Sequence, residues 1–213
     1  HGAKAGMEVM GLLPCTWRPG PPLGCSDGNR MMQTPPITQE ITVEEMERYK
    51  QATAEMCGNL LECGFDSLLF HFGHSIPVAQ FLSPLTNRRT DEYGGSTENR
   101  CRYLVEVLGA CRAATKGRMT LGVGMSATEF AEGGIDVEEG IRIASIFQEH
   151  CDIIQASCGM ITEKYMTWTH PCQHMGYHPN LWLAEAFKKS GKIHKPVTAV
   201  GGLESLEAAE EAI

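Results

Sequence analysis

The sequence predicts an α/β fold in which helices connect parallel strands. Three observations favour it: long amphipathic segments alternate with short apolar runs from Ile41 onward, Thr or Asp caps precede several of the segments, and glycines or charged turns bound the runs. This alternation is typical of repeated helix and strand units around a parallel sheet. Periodicity alone leaves a doubly wound sheet and a (β/α)₈ barrel open.

Five helices and four strands can be placed along the chain. The first helix begins after Thr42, where Glu45 completes a capping box, and it ends at Gly64. Further helices are predicted over residues 97–116, 137–150 and 180–190, and a last one opens near Ser205. The strands are predicted over residues 65–70, 119–125, 152–156 and 196–201. Residues 11–36, rich in Pro and Gly, are predicted to form a long loop, and residues 1–213 form one domain.

Composition and charge indicate a globular protein that handles small molecules. The chain has 213 residues, of which 42% are hydrophobic and 21% are charged, so it can bury a sizeable core. Its formal net charge of −8 argues against nucleic acid or an anionic membrane surface as a partner, because both need clustered cations. No apolar run approaches the roughly 20 residues that span a bilayer. We therefore expect a cytoplasmic protein, and the start at His1 fits a segment of a longer chain.

The cysteines favour a reduced core over a disulfide framework or a metal site. They are odd in number, show no C-x-x-C spacing, and several lie in apolar patterns where a thiol behaves as a small hydrophobe. They are Cys15, Cys25, Cys57, Cys63, Cys101, Cys111, Cys151, Cys158 and Cys172.

One long motif points to a family. Residues 64–100, GFDSLLFHFGHSIPVAQFLSPLTNRRTDEYGGSTENR, closely resemble the fourth strand and following loop of old yellow enzyme-like NADH:flavin oxidoreductases. HGAKAG at His1 is similar to the end of the family's third strand, EFAEGG at Glu129 to the segment after its fifth, and PVTAVGG at Pro196 to its seventh. The H-x-x-H pair and the N-x-x-LAEAxKK helix most resemble the enoate and 2,4-dienoyl-CoA reductase branch. The resemblance implies a TIM (β/α)₈ barrel, here incomplete, with about strands 3 to 7 present and FMN at the carboxyl ends of the strands.

The resemblance also implies a reaction. In the family NAD(P)H reduces FMN, and hydride then passes to an activated C=C bond of an α,β-unsaturated carbonyl compound. The family's two carbonyl hydrogen-bond donors correspond to His71 and His74, three positions apart. Taken outside the motif, either residue would more often be a buried histidine satisfied by backbone groups.

Other site residues are predicted from the same comparison and from composition. Tyr165 is a candidate proton donor, and His170 and Tyr177 are candidate substrate contacts, because the loop that contains them is unusually aromatic and polar. The resemblance implies flavin contacts at a set of four residues. This set is His1, Lys4, Gly201 and Gly202.

No metal site is predicted. His174 and His178 continue a four-residue spacing from His170, but Pro171 and Gly176 disfavour the regular helix that would align the three side chains.

The motif also departs from the family at two positions. Ile76 occupies the position at which many members carry a proton-donating Tyr, and Gly124 occupies the position of an Arg that stabilises the reduced flavin. A catalytically degraded barrel with a binding or structural role is therefore the alternative reading. An aldolase- or synthase-type α/β enzyme would leave the motif unexplained.

The long motif and the end of the chain carry two further expectations. The segment at residues 80–100 carries a dense block of charged, amide and glycine residues and is interpreted as structural, with Arg88, Arg89, Asp91, Glu92 and Arg100 cross-linking the loop and Gly94 and Gly95 permitting its turn. A homo-oligomer, or further domains beyond Ile213 that include an iron-sulfur centre, fits the dienoyl-CoA reductase branch.

Overall fold

A computed structural model describes residues 2–10, 20–29, 37–161, 166–171, 173–176, 178–203 and 205–213. Its strands are β1 (Gly6–Val9), β2 (Leu23–Gly24), β3 (Gln39–Glu40), β4 (Ser67–Phe72), β5 (Thr120–Ser126), β6 (Ile153–Ser157) and β7 (Val197–Ala199). Five of them form one sheet in the order β1-β4-β5-β6-β7, and every neighbouring pair is parallel. β2 and β3 form a separate parallel pair.

Helices lie between the strands of the large sheet. They are α1 (Val43–Glu62), α2 (Thr97–Ala114), α3 (Val137–Phe147), α4 (Met166–Thr169), α5 (Leu181–Lys189) and α6 (Leu206–Glu211), with 3-10 turns at Ala79–Phe81 and Gln173–Met175. Strand order follows chain order, as it does around a barrel. The described sheet is a partial (β/α)₈ barrel with five parallel strands, in agreement with the predicted strands 3 to 7.

The predicted helix boundaries follow the capping residues closely. Thr42 accepts a hydrogen bond from the Glu45 amide, and the Glu45 carboxylate accepts one from the Thr42 amide, which completes the capping box. Asp136 caps α3 and Ser205 caps α6 through their side chains. Gly64 ends the first helical segment at φ +93°, a conformation that glycine adopts without strain.

The strand predictions differ from the structure mainly at the amino end of the chain. β4 lies two residues later than predicted, and the other three predicted strands overlap β5, β6 and β7. HGAKAG was expected at the end of a strand, but β1 begins at Gly6, the last residue of that run. β1 has only four residues and three of them are exposed, so the alternation of Met7 and Val9 is too short to mark a strand in the sequence.

The two faces of the sheet have different surroundings. Phe70 and Phe72 of β4 are buried on the helical side, where Phe72 packs on Phe147 of α3 with ring centroids 5.8 Å apart. On the other face, the inner face of the partial barrel, Leu69 and Gln155 are half-buried and Thr198 is exposed. The apolar core therefore lies between sheet and helices, and the inner face holds polar groups.

Arginines hold the loop that follows β4, as predicted. Arg89 pairs with Asp91 at 2.5 Å and donates to the carbonyl oxygens of Cys25 and Ile41. Arg88 contacts the backbone of Asp27 and the side chain of Asn29. Glu92 takes part through its backbone carbonyl oxygen, which accepts from Arg102, and not through the carboxylate cross-link expected of it.

Glycine at position 140 of α3 is required by close packing. A Cβ built on Gly140 would lie 2.2 Å from the carbonyl oxygen of Ala127, a backbone atom that cannot move aside easily. We expect Gly140→Ala to destabilise the fold by about 1–3 kcal/mol through overpacking. Gly109→Ala in α2 is the matched control, because nothing lies within 4 Å of its Cβ, and it should stabilise by roughly 0.5–1 kcal/mol. Urea unfolding measures both, and equal free energies of unfolding would contradict the packing argument.

All seven described cysteines carry free thiols, and every one except Cys63 is buried. Within the described ranges, no helix combines the length and apolar character needed to cross a bilayer.

Candidate active site

The predicted histidine pair lies at the carboxyl end of β4. His71 is the fifth residue of this strand, in register with Gly124 of β5, and its side chain is on the inner face. His74 follows the strand and forms an isolated bridge with Met160 after β6. Both residues are only 9% exposed. The carboxyl ends of parallel strands are where barrel enzymes place their chemistry.

The two imidazole rings form the middle of a continuous hydrogen-bonded array. Glu8 of β1 lies 2.8 Å from His71 Nδ1, His71 Nε2 lies 3.1 Å from His74 Nδ1, and His74 Nε2 lies 2.8 Å from Ser157 Oγ. The array therefore crosses the sheet from β1 through β4 to β6. All four ring nitrogens have a partner within the chain, so the rings are held in fixed orientations.

The backbone at this strand end adopts a conformation that non-glycine residues rarely take. His74 has φ +61° and Ser75 has φ +59°, two consecutive left-handed residues. Ser126 at the end of β5 stabilises the turn, because its hydroxyl accepts from the His74 amide and donates to the carbonyl of Gly159. Backbone outliers of this kind cluster at functional sites.

Burial and two neighbouring histidines affect the protonation of His74. Removal from water, together with the neighbouring His71 and His170, lowers the pKa of His74 to about 4. The ring centroid of His170 lies 6.4 Å from that of His74. His74 is therefore neutral near pH 7.

The structure brings some of the predicted site residues together and separates others. His170 lies beside His74, and Gly201 packs on Pro171, so both belong to the same end of the sheet. Lys4 lies before β1 and pairs with Asp66, which precedes β4, at 2.6 Å. It is thus at the amino ends of the strands, opposite to the histidine pair. His1, Tyr165 and Tyr177 lie outside the described residues.

The positions that depart from the family have contrasting surroundings. The side chain of Ile76 is 7% exposed and belongs to the hydrophobic core. Gly124 lies on the inner face, where it leaves β5 bare beside His71. Among the described residues, no group of three His, Cys, Asp or Glu side chains is arranged to hold a metal ion. In the described part of the histidine-rich loop, α4 ends at Thr169, before Pro171, and the 3-10 turn ends at Met175, before Gly176.

Sequence reasoning did not identify Glu8, Ser126, Ser157 or Gln155 as site residues. Glu8 lies in the strand that the sequence did not reveal. The other three end strands or occupy the inner face, and their alternation with Met125, Ile154 and Ala156 was a usable signal, since alternate residues of a strand share one face.

A sheet of parallel strands with intervening helices and polar side chains gathered at the carboxyl ends defines the barrel-enzyme class. The profile of the NADH:flavin oxidoreductase / NADH oxidase family matches residues 17–213. The chain belongs to this family, whose name implies FMN as cofactor and NAD(P)H as reductant.

Individual relatives support the family and the fold. An NADH oxidase of Thermoanaerobacter brockii is 34% identical over 227 residues, an alignment that covers 100% of this chain and 33% of that protein. A 2-naphthoyl-CoA reductase solved with 2-naphthoyl-CoA superposes with a TM-score of 0.81 at 27% identity, over 90% of this chain and 29% of the other. An old yellow enzyme homologue from Zymomonas mobilis has a TM-score of 0.65 at 20% identity, over 90% of this chain and 53% of the other, and shows the fold. The chain thus spans about a third of the first of these relatives.

The residues at this end of the sheet fit a planar ring with polar edges. A Cβ built on Gly124 would lie at ordinary contact distance from Gln155 Nε2 (3.5 Å) and Leu69 Cδ1 (3.9 Å), so Gly124 presents only backbone on the inner face of β5. Gln155 is half-buried on the same face, and its amide offers both a donor and an acceptor. Gly201 is packed more closely, since its added Cβ would lie 2.9 Å from Pro171 Cγ. The bare backbone at Gly124 and the amide of Gln155 would suit the polar edge of the FMN ring. The flavin contacts of Gly201 and Gly202 stay a prediction.

Proposed function

We propose that this chain forms part of an FMN-dependent ene-reductase site, which uses NAD(P)H to reduce the activated C=C bond of an α,β-unsaturated carbonyl compound. The observation that carries the proposal is the hydrogen-bonded pair His71 and His74 at the carboxyl end of β4, beside Gly124 of β5. When bound, FMN supplies hydride transfer from NAD(P)H to the β-carbon of the substrate.

His74 is the residue that would bind the substrate carbonyl. Its Nε2 faces Ser157 Oγ at 2.8 Å, and an incoming carbonyl oxygen can take the place of this hydroxyl as the hydrogen-bond partner. A preorganised N–H donor in a dry site stabilises the negative charge that develops on the oxygen during reduction. The left-handed turn at His74 and Ser75, braced by Ser126, holds the ring in place for this role.

His170 and the aromatic groups near it form one side of the same region. The ring of Trp168 packs on Phe130 with centroids 4.5 Å apart, and His170 follows it by two residues. A cyclic or aryl-substituted enone could be held against these rings by apolar contact. Substrate binding by His170 and proton donation by Tyr165 are part of the proposal.

A binding or structural role without catalysis is the second candidate. It is favoured by Ile76, which places a buried aliphatic side chain where family members carry a proton donor, and by the missing positive charge at Gly124. The two candidates differ in whether bound flavin turns over.

The test uses the full-length protein, its visible spectrum and anaerobic titration. We expect a flavin spectrum that bleaches on addition of NADH or NADPH and returns when 2-cyclohexenone is added, with cyclohexanone as the product. A colourless protein that binds no added FMN would contradict the enzyme assignment. Bleaching without cyclohexanone formation would support a flavin oxidoreductase and contradict reduction of C=C bonds.

A further inference from the structure

We propose that Glu8, His71 and His74 together store one exchangeable proton, which is held on His71 against the Glu8 carboxylate and released at His74 Nε2 to the reacting substrate. The release step rests on the reductase function proposed above. Storage of the proton is a property of the array itself, and it can be measured without substrate.

When both rings are neutral, the hydrogen bonds allow only one placement of the two ring protons. The Glu8 carboxylate can only accept, so His71 Nδ1 carries a proton and donates it over 2.8 Å. His71 Nε2 is then a lone pair, and it accepts from His74 Nδ1 over 3.1 Å. His74 Nε2 is consequently a lone pair as well, and it accepts from the Ser157 hydroxyl over 2.8 Å.

The neutral arrangement cannot polarise a carbonyl group. It presents the lone pair of His74 Nε2 to the site, and a lone pair repels the oxygen of an enone. The donor required by the proposed reaction is absent until the array gains a proton. His74 can therefore bind a carbonyl oxygen only in a second protonation state of the pair.

One added proton reverses the direction of the hydrogen bonds between His71 and His74 and between His74 and Ser157. With both nitrogens of His71 protonated, Nδ1 still donates to Glu8, and Nε2 now donates to His74 Nδ1. His74 remains neutral but carries its proton on Nε2, directed toward Ser157 Oγ, which accepts it. The positive charge then lies on the ring that contacts a carboxylate, and His74 is a donor.

The surroundings place the charge on His71 and not on His74. Among the described residues, the titratable groups that face the pair are Glu8 from β1 and His170 from the segment after α4. Burial, with the two neighbouring histidines, lowers the pKa of His74 to about 4. The Glu8 side chain is 46% exposed, so its carboxylate keeps access to water beside His71.

The release step balances in protons and charge. The His74 Nε2–H bond breaks as the enolate oxygen of the reduced substrate gains the proton, and His71 Nε2–H passes to His74 Nδ1. The pair falls from one positive charge to none, and the enolate becomes a neutral enol. The α-carbon of the enol then gains a solvent-exchangeable proton as its O–H bond gives up its own proton to water. The pair regains its proton from water at His74 Nε2. This route supplies an acid at the substrate oxygen, whereas the donor missing at Ile76 would act at the α-carbon.

Nitrogen-15 NMR of the histidines in the substrate-free full-length protein tests the storage. On lowering pH, we expect the resonances of His71 and His74 to change with one shared midpoint, as the proton on His74 moves from Nδ1 to Nε2. Glu8→Gln keeps an acceptor for His71 Nδ1 but removes the charge, and it should lower this midpoint by about one pH unit. Glu8→Asp keeps the charge and should restore most of the midpoint.

Glu149→Gln is the matched control, because Glu149 lies 3.5 Å from the exposed His194 at a surface site. It should leave the midpoint of the pair unchanged. An unchanged midpoint in Glu8→Gln, or separate midpoints for the two rings in the wild type, would overturn the proposal. Cyclohexenone turnover with an unshifted midpoint rejects proton storage alone, and a shifted midpoint without turnover rejects the reductase function alone.

Discussion

Replacement of His71 or His74 by alanine is expected to lower the rate at which 2-cyclohexenone oxidises the reduced protein by roughly 10² to 10³. The loss follows from the proposed roles, in which His74 holds the donor nitrogen and His71, 3.1 Å away, controls which nitrogen of His74 carries the proton. Bleaching of the flavin by NADH or NADPH should be affected much less, because that half-reaction needs no donor for an enone oxygen. Anaerobic stopped-flow absorbance separates the two half-reactions.

His194→Ala is the control for a general effect of losing an imidazole. The side chain of His194 is 68% exposed and contacts Glu149, away from the carboxyl ends of the strands. Its flavin content and enone rate should equal those of the wild type. Equal enone rates in the wild type and in both site variants would remove His71 and His74 from the mechanism.

Arg100→Met is expected to reduce the free energy of unfolding by about 3 kcal/mol, near the lower end of the range for breaking a buried ion pair. Arg100 is 7% exposed, and its guanidinium contacts Glu139 and the carbonyl oxygens of Leu82 and Gly95. The change leaves the buried Glu139 carboxylate with weaker compensation from Thr97 and Arg142. Urea unfolding followed by circular dichroism measures the effect.

Arg142→Met tests whether burial sets this cost. Arg142 contacts the same carboxylate at 2.6 Å, but its side chain is 52% exposed, so water already screens the pair. We expect a clearly smaller loss than for Arg100→Met. Equal losses would show that contact with Glu139, and not burial of the arginine, decides the stability.

Local rules account for much of the fold that the sequence predicted. The caps at Thr42, Asp136 and Ser205 and the apolar runs of β5 and β6 depend on neighbouring residues, so they are visible in one sequence. β1 is different, because only pairing with β4 makes its four residues a strand. Lys4 precedes β1, and the position of this strand puts Lys4 at the amino ends of the strands instead of beside the histidine pair.

The candidate site was predictable to the extent that it lies in one motif. His71 and His74 are three residues apart and were recognised together, whereas Glu8 and Ser157 reach them across 63 and 83 residues of sequence. The parallel sheet brings these residues together, and the strand register decides which side chains meet. A single sequence carries no direct signal of that register, and so the proton-holding partners of the pair became visible only in three dimensions.

We propose that the carboxyl end of this sheet, with His71 and His74, supports hydride transfer to an activated C=C bond. The most direct measurement uses NADH or NADPH deuterated at the hydride position, the full-length protein and 2-cyclohexenone in anaerobic water. Exchange of the flavin-bound hydride with solvent is limited by rapid mixing and a single turnover. The account predicts cyclohexanone that carries deuterium at the former β-carbon and a solvent-derived proton at the α-carbon. Unchanged 2-cyclohexenone beside fully bleached flavin would contradict it.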